Sequence, residues 1–260
     1  MMARVNFNIT NVYREASSKS EKISQGLFNE IVEVLETGND LTKVRFSDSY
    51  EGWIRNQFLS DDDGVASDHG FIVDAAIAPA FERPEVFSKR VTLLPYGSLL
   101  QGEMTGDYME ISSGRYGTMF VHGSDLIYQG EMTLSINPSD EHIIYEAEKF
   151  LGVPYLWGGR SFFGMDCSGF VKAIMQRFGI SLPRDTKEQI YIGQDVAREE
   201  IRAGDLLFFP RHVALATSKD MFIHCSSSNG GVAYNSINSQ NQLYNKSYNE
   251  SFIKAKRVIQ

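Results

Sequence analysis

The sequence predicts an α+β protein: two small all-β units, then a domain that runs helices first and an antiparallel sheet second. Three observations carry that prediction. The chain has 260 residues, too many for one domain of about 150. Its first half repeats itself at a constant offset of 67 residues, and near Pro138 the apolar pattern changes from strand-like alternation to helix-like periodicity. Hydrophobic residues at 42% and charged residues at 22% are ordinary globular composition, which excludes a disordered or collagen-like chain.

The repeat pairs Glu15 with Glu82, Leu27 with Leu94, Val32 with Leu99, Val44 with Ile111, Trp53 with Phe120 and Leu59 with Leu126, with no slip expected along the unit. Each copy holds short alternating segments such as Ile31–Leu35 and Leu41–Phe46, separated by Gly, Asn and Asp turn residues, the signature of a small β-barrel. Gly38-Asn39-Asp40 marks a turn, and Gly52-Trp53-Ile54 followed by Leu59 closes the first copy. The units are placed at 1–63 and 68–132, with the acidic stretch Ser60–Gly70 as linker. Asp61-Asp62-Asp63 lacks the spaced ligands and terminal Glu of a calcium loop and reads as solvated linker.

The third domain is placed at 137–260. Asp140–Leu151 carries Ile143, Ile144, Ala147, Phe150 and Leu151 on one helical face and ends at Gly152 and Pro154. A second helix is predicted over Cys167–Phe178, with Asp166 at its N-cap and Gly179 as its stop. A short third helix starts near Asp185 and ends before Gly193. Strands are then predicted at Asp205–Phe209, His212–Thr217, Met221–Cys225 and Phe252–Val258.

Charge and composition narrow the partners. Lys plus Arg total 25 against 33 acidic residues, a net charge of -8, so a phosphate backbone is repelled and nucleic acid is not expected. Apolar runs such as Phe71–Phe81 fall short of the roughly 20 residues of a membrane span. The start MMARVNFNITNVYREAS has no apolar stretch behind a basic end, and the two cysteines form no disulfide framework; both suit the cytoplasm. A monomer is expected. His69, His122 and His142 fall in separate segments without ligand spacing.

Cys167 stands at the first turn of a predicted helix. The partial positive charge and unspent N–H groups there favour a thiolate, lowering the thiol from its usual pKa of about 8.5, and the same amides suit an oxyanion. His212 and His224 lie on successive strands joined by a turn at Ser218-Lys219-Asp220. Pairing Ala216 with Met221 sets the two imidazoles almost opposite each other. A Cys-His-His triad follows geometrically, in which His212 takes the thiol proton and His224 fixes its tautomer and orientation. That chemistry requires no metal or cofactor. Cys225, next to His224, faces the other way, into the core.

The ordered set YLWGGRSFFGMDCSGFV (Tyr155–Val171), LPRDTKEQ (Leu182–Gln189), GDLLFF (Gly204–Phe209), HVAL from His212 and MFIHCSS from Met221 resembles the NlpC/p60 family of cell-wall cysteine peptidases. The closing GWIRNQFL pattern resembles bacterial SH3-like (SH3b) modules. The resemblance implies two SH3-like barrels followed by a papain-like peptidase domain, with Cys167 as nucleophile, His212 as general base and His224 as orienting residue.

It further implies a γ-D-glutamyl-L-diamino acid endopeptidase acting on murein peptides, which carry meso-diaminopimelate or lysine. Ser168 and Asp185 resemble a pair that binds the free amine of an N-terminal L-Ala, although Asp185 also reads as an N-cap for the helix from Thr186. Tyr155 and Trp157 match cleft aromatics, and core packing is an equal reading for Trp157. Asp166 is expected as cap and orienter beside the substrate. Tyr50 and Glu15 are the candidates for capping the substrate's N-terminal end from the first SH3-like unit. Two other functions stay open: a secreted hydrolase of intact wall, and a non-catalytic wall-peptide-binding protein.

Overall fold

The computed structural model describes residues 1–61, 70–132 and 138–259; Asp62, Asp63 and His69 lie outside them. The chain divides into two compact units, Met1–Leu134 and Ser135–Gln260.

The first unit opens with β1 (Met2–Val5), β2 (Ile9–Tyr13), β3 (Lys22–Leu27), β4 (Ile31–Thr37), β5 (Leu41–Arg45), β6 (Glu51–Arg55) and β7 (Leu59–Asp61), which pair in the order β3-β2-β6-β5-β4-β1-β7. Alternation buries Val5, Val12, Val32, Val44 and Ile54 in one core, with Tyr50 packed against it. The unit continues with β8 (Phe71–Val73), β9 (Ile77–Phe81), β10 (Arg90–Pro95), β11 (Leu99–Leu100), β12 (Gly102–Thr105), β13 (Tyr108–Ser113), β14 (Gly117–His122), β15 (Leu126–Tyr128) and the short α1 (Gln129–Met132). Their order is β10-β9-β14-β13-β12 and β11-β8-β15, which is the first order again with its fifth strand broken at Gln101.

The repeat is visible in the pairing, but its register slips. Ile9 pairs with Leu27 and Ile77 with Pro95, each 68 residues on, whereas Leu41–Arg55 and Tyr108–His122 are related by 67. The cause is a β-bulge between Val34 and Glu36 in the first copy, an extra residue that the β12–β13 ladder lacks. Buried Val32 therefore corresponds to buried Leu100 rather than to Leu99. At the break Gly102 is required, because a Cβ there would lie 1.9 Å from the Glu110 carbonyl oxygen. Neither strand order closes on itself: β3 and β7 end the first ladder and do not pair, so the expected closed barrels are open sheets. The end strands β7 and β15 hold three residues each, and among the described residues each pairs along one side only.

The second unit holds α2 (Asp140–Glu148), a two-strand hairpin of β16 (Arg160–Ser161) and β17 (Gly164–Met165), α3 (Cys167–Arg177) and α4 (Thr186–Gln189). A six-stranded antiparallel sheet follows from β18 (Gln194–Val196), β19 (Leu206–Phe209), β20 (His212–Ala216), β21 (Met221–Ser226), β22 (Gly231–Ser236) and β23 (Lys254–Arg257), with the helix α5 (Lys246–Ser251) between the last two. Its order is β18-β23-β19-β20-β21-β22. Helix α3 buries Phe170, Val171, Ile174 and Met175 and packs on β20 and β21. The sequence pattern gave no expectation for β18, β22 or α5. β22, GVAYNS, breaks alternation with three half-buried residues in a row, and α5 is shorter than two turns. Among the described residues no helix is long and apolar enough to cross a membrane.

Candidate active site

Asp166 caps α3, accepting a hydrogen bond from Gly169 N at 2.7 Å, and this fixes the turn that presents Cys167. The same carboxylate accepts from Gly158 N at 2.9 Å and from the Ser168 hydroxyl at 3.2 Å. It also forms a two-pronged ion pair with Arg184, at 3.1 and 2.6 Å. Arg184 is almost fully buried and donates a further bond, 2.8 Å long, to Ser168 Oγ. Asp166 and Ser168 are thus both engaged within the protein and hold the helix start. Gly169 completes the arrangement: a Cβ there would sit 2.2 Å from the Gly159 carbonyl oxygen, so only glycine lets this loop lie against α3.

The two histidines reach each other from neighbouring strands. Leu215 pairs with Ile223 and Ala216 with Phe222, one residue away from the expected register, so His212 and His224 share a face but stand diagonally rather than opposite. The diagonal suffices: His212 Nε2 and His224 Nδ1 are 2.6 Å apart. His212 enters its strand from the two-residue turn Pro210-Arg211, where Arg211 holds φ at 59°, a conformation that favours glycine and costs about 1–2 kcal/mol. Ring contacts from Phe209 and Tyr248 to His212, and from Phe222 and Tyr248 to His224, enclose the pair. The N–H of Val213, the residue after His212, is directed at the Cys167 sulfur, which brings the start of β20 to the nucleophile.

The electrostatics differ from the expectation of a thiolate. Burial, then the neighbouring Asp166 carboxylate, pushes the Cys167 thiol upward, outweighing the bonds from Val213 N, Thr186 Oγ1 and Ser168 N. Burial, followed by the charge of His224, pulls His212 down to about 3, and burial pulls His224 down to about 4 against the bond it makes to Asn235. Burial thus favours the uncharged forms of both the Cys167 thiol and the His212 imidazole, against the pull of the helix end. Alkylation of Cys167 by iodoacetamide is accordingly expected to rise with pH through 9, without a plateau between pH 5 and 8. Rates measured by mass spectrometry across that range check this; a flat plateau would mean a preformed thiolate.

Other sequence-derived candidates find varied places. Tyr155 is half-buried, with its hydroxyl pushed up to about 12 by burial and then by Cys167. Trp157 is 58% exposed, so the core reading fails for it. Asp185 occupies the N-cap position of α4 yet makes no side-chain cap bond; its carboxylate is 3.7 Å from Lys187 Nζ. Cys225 is fully buried with Sγ donating to the Met165 carbonyl, as expected of a core residue. Tyr50 and Glu15 belong to the first unit, where Tyr50 packs on the core and Glu15 is exposed in the loop between β2 and β3. Asn229, Asn235 and Tyr248 were not anticipated, because they lie on or beside the unanticipated β22 and α5. Among the described residues no group of three or more His, Cys, Asp or Glu side chains could hold a metal ion.

With this geometry in view, residues 152–256 match the NlpC/P60 family and residues 9–60 the bacterial SH3 domain. A probable endopeptidase of Haemophilus influenzae is 40% identical over 111 residues, spanning 40% of this chain and 67% of its own length. The chain belongs to the NlpC/P60 family. It is thereby a peptidase among peptidoglycan hydrolases and endopeptidases. The gamma-D-glutamyl-L-lysine dipeptidyl-peptidase of Bacillus subtilis is 33% identical over 163 residues, which cover 62% of this chain and 52% of that protein. The crystal structure of an NlpC/P60 family protein from Bacillus cereus matches the whole of both chains with a TM-score of 0.87 at 21% identity, a likeness of fold.

Proposed function

We propose that this NlpC/P60 peptidase is a cysteine endopeptidase that hydrolyses the γ-D-glutamyl bond to a diamino acid in murein peptides with a free N-terminal L-Ala, in the cytoplasmic recycling of wall peptides. The observation that carries the reading is the juxtaposition of Cys167, at a capped helix start, with the linked His212–His224 pair. The name of the Bacillus subtilis relative supplies the bond class. In this reading the open sheets of residues 71–128 are a second, diverged SH3-like unit, which shares the strand order of the first.

The chemistry runs through groups already described. His212 uses Nε2 on His224, so Nδ1 is the nitrogen that takes the Cys167 proton as sulfur attacks the γ-carbonyl. The carbonyl becomes an oxyanion at the helix start, where N–H groups are unspent by the cap. Collapse breaks the C–N bond, and His212 returns the proton to the leaving amine. A thioester remains on Cys167. Water, deprotonated by the same imidazole, attacks the thioester, and the thiol leaves with the proton restored.

Asp185 gives the reading its specificity. A carboxylate at the start of α4 suits an ammonium, which is costly to bury unpaired. Expected in a mass-spectrometric assay is cleavage of L-Ala-γ-D-Glu-meso-diaminopimelate but not of its N-acetylated copy, with Asp185→Asn weakening the first by about 10- to 100-fold. Equal cleavage of both peptides would favour a hydrolase of intact wall. Cleavage of neither would favour a wall-peptide-binding protein.

A further inference from the structure

We propose that Asn235 is a positioning residue for this reaction: its carboxamide oxygen, held by Asn229, fixes the tautomers of both histidines so that His212 offers a bare Nδ1 to Cys167. The inference rests on the reading of Cys167 and His212 as nucleophile and base, and it extends the constellation beyond the three residues legible in the sequence.

Donors and acceptors decide the tautomers. His224 Nε2 lies 2.9 Å from Asn235 Oδ1. An amide oxygen only accepts, so His224 carries its proton on Nε2. Its Nδ1 is then a lone pair, and the 2.6 Å contact with His212 Nε2 is a bond in which His212 donates. A neutral imidazole has one N–H, so His212 is bare at Nδ1, the form a general base requires. The alternative tautomer would place N–H on His212 Nδ1 and leave that nitrogen unable to accept a thiol proton.

Asn235 is itself oriented. Asn229 Nδ2 donates to Asn235 Oδ1 at 2.9 Å and, 3.2 Å from His224 Nε2, converges with that ring nitrogen on the same oxygen. Asn235 Nδ2 points to the Leu243 carbonyl at 3.4 Å. A flipped amide would set nitrogen against two donors and oxygen against a carbonyl. β22 delivers this residue because Asn235 pairs with Phe222 beside His224, whose own partner is Ala233, too small to block the approach. When His212 takes the thiol proton, its positive charge is shared along His212 Nε2–H, His224 Nδ1, His224 Nε2–H and Asn235 Oδ1, with no proton leaving the chain.

The test uses the full chain labelled with ¹⁵N-histidine, with assignments from single His→Gln variants. In the wild-type protein the imidazole ¹⁵N shifts are expected to show His224 and His212 both protonated on Nε2 and bare on Nδ1. Asn235→Leu is expected to mix the His224 tautomers and to lower kcat by about 10- to 100-fold, as loss of outer partners of a functional imidazole does, while Asn235→Asp, which keeps an acceptor oxygen, restores most of it. KM is expected to stay within about two-fold in both. A bare His224 Nε2 or a protonated His212 Nδ1 in the wild type would overturn the proposal, as would an Asn235→Leu protein with unchanged tautomers and kcat. Because the tautomers are read without substrate, they decide the role of Asn235 even if the peptide proposed above is not cleaved.

Discussion

Cys167→Ala is expected to reduce kcat on the murein tripeptide by a factor on the order of 10⁴ to 10⁶, with His212→Ala in the same range, because nucleophile and base act as one unit and either loss removes the covalent route. The two losses are expected not to add: the double variant should be about as slow as either single one, since the proton has nowhere to go without the imidazole and no source without the thiol. Single-turnover cleavage followed by mass spectrometry measures all three. A Cys167→Ala protein retaining a tenth of the activity would place the chemistry elsewhere. The geometry behind this expectation is local to residues 135–260, where α3 and β20 meet at the Cys167 sulfur.

Arg184→Met is expected to have the largest effect on stability. The guanidinium is 2% exposed and its ion pair with Asp166 is nearly as buried. Removing one partner leaves the carboxylate with bonds from Gly158, Gly169 and Ser168 but no counter-charge. Breaking such a pair costs about 3–5 kcal/mol, a fall in Tm of roughly 10 °C or more for a unit of this size. Calorimetry of Arg184→Met, Asp166→Asn and the double variant separates pairing from packing. A buried pair predicts that the double variant loses less than the two single losses together. Strict additivity would mean that the charges are not coupled.

Much of this was legible in the sequence, and the illegible part has identifiable causes. α3 announced itself through Asp166 before the apolar face of Phe170, Val171 and Ile174, and the cap is observed. The histidine pair was legible as two imidazoles on successive strands, but not its face: with period two, pairing Ala216 with Met221 turns one ring away, and the observed register, one residue on, sets His212 and His224 on one face as diagonal neighbours. The 67-residue repeat was real, but a single bulge at Leu35 changed its offset, and apolar matches on either side of a one-residue slip look alike.

The protonation state of Cys167 was not legible. Local position at a helix start suggested a thiolate, whereas burial beside Asp166 is a tertiary effect that no spacing encodes. Asn235 escaped for a related reason: an asparagine on a short strand with irregular burial has no pattern of its own, and its meaning comes only from the ring nitrogen it meets.

In the proposed route Cys167 carries the acyl group through the reaction. The most direct measurement is acid-quenched, rapid-mix incubation of the protein with the tripeptide, followed by peptide mapping of the trapped adduct. An L-Ala-γ-D-glutamyl thioester is expected on the peptide containing Cys167, labile to hydroxylamine and absent from Cys167→Ala. Turnover with no adduct on Cys167 when hydrolysis is slowed, or an adduct on any other residue, would contradict it.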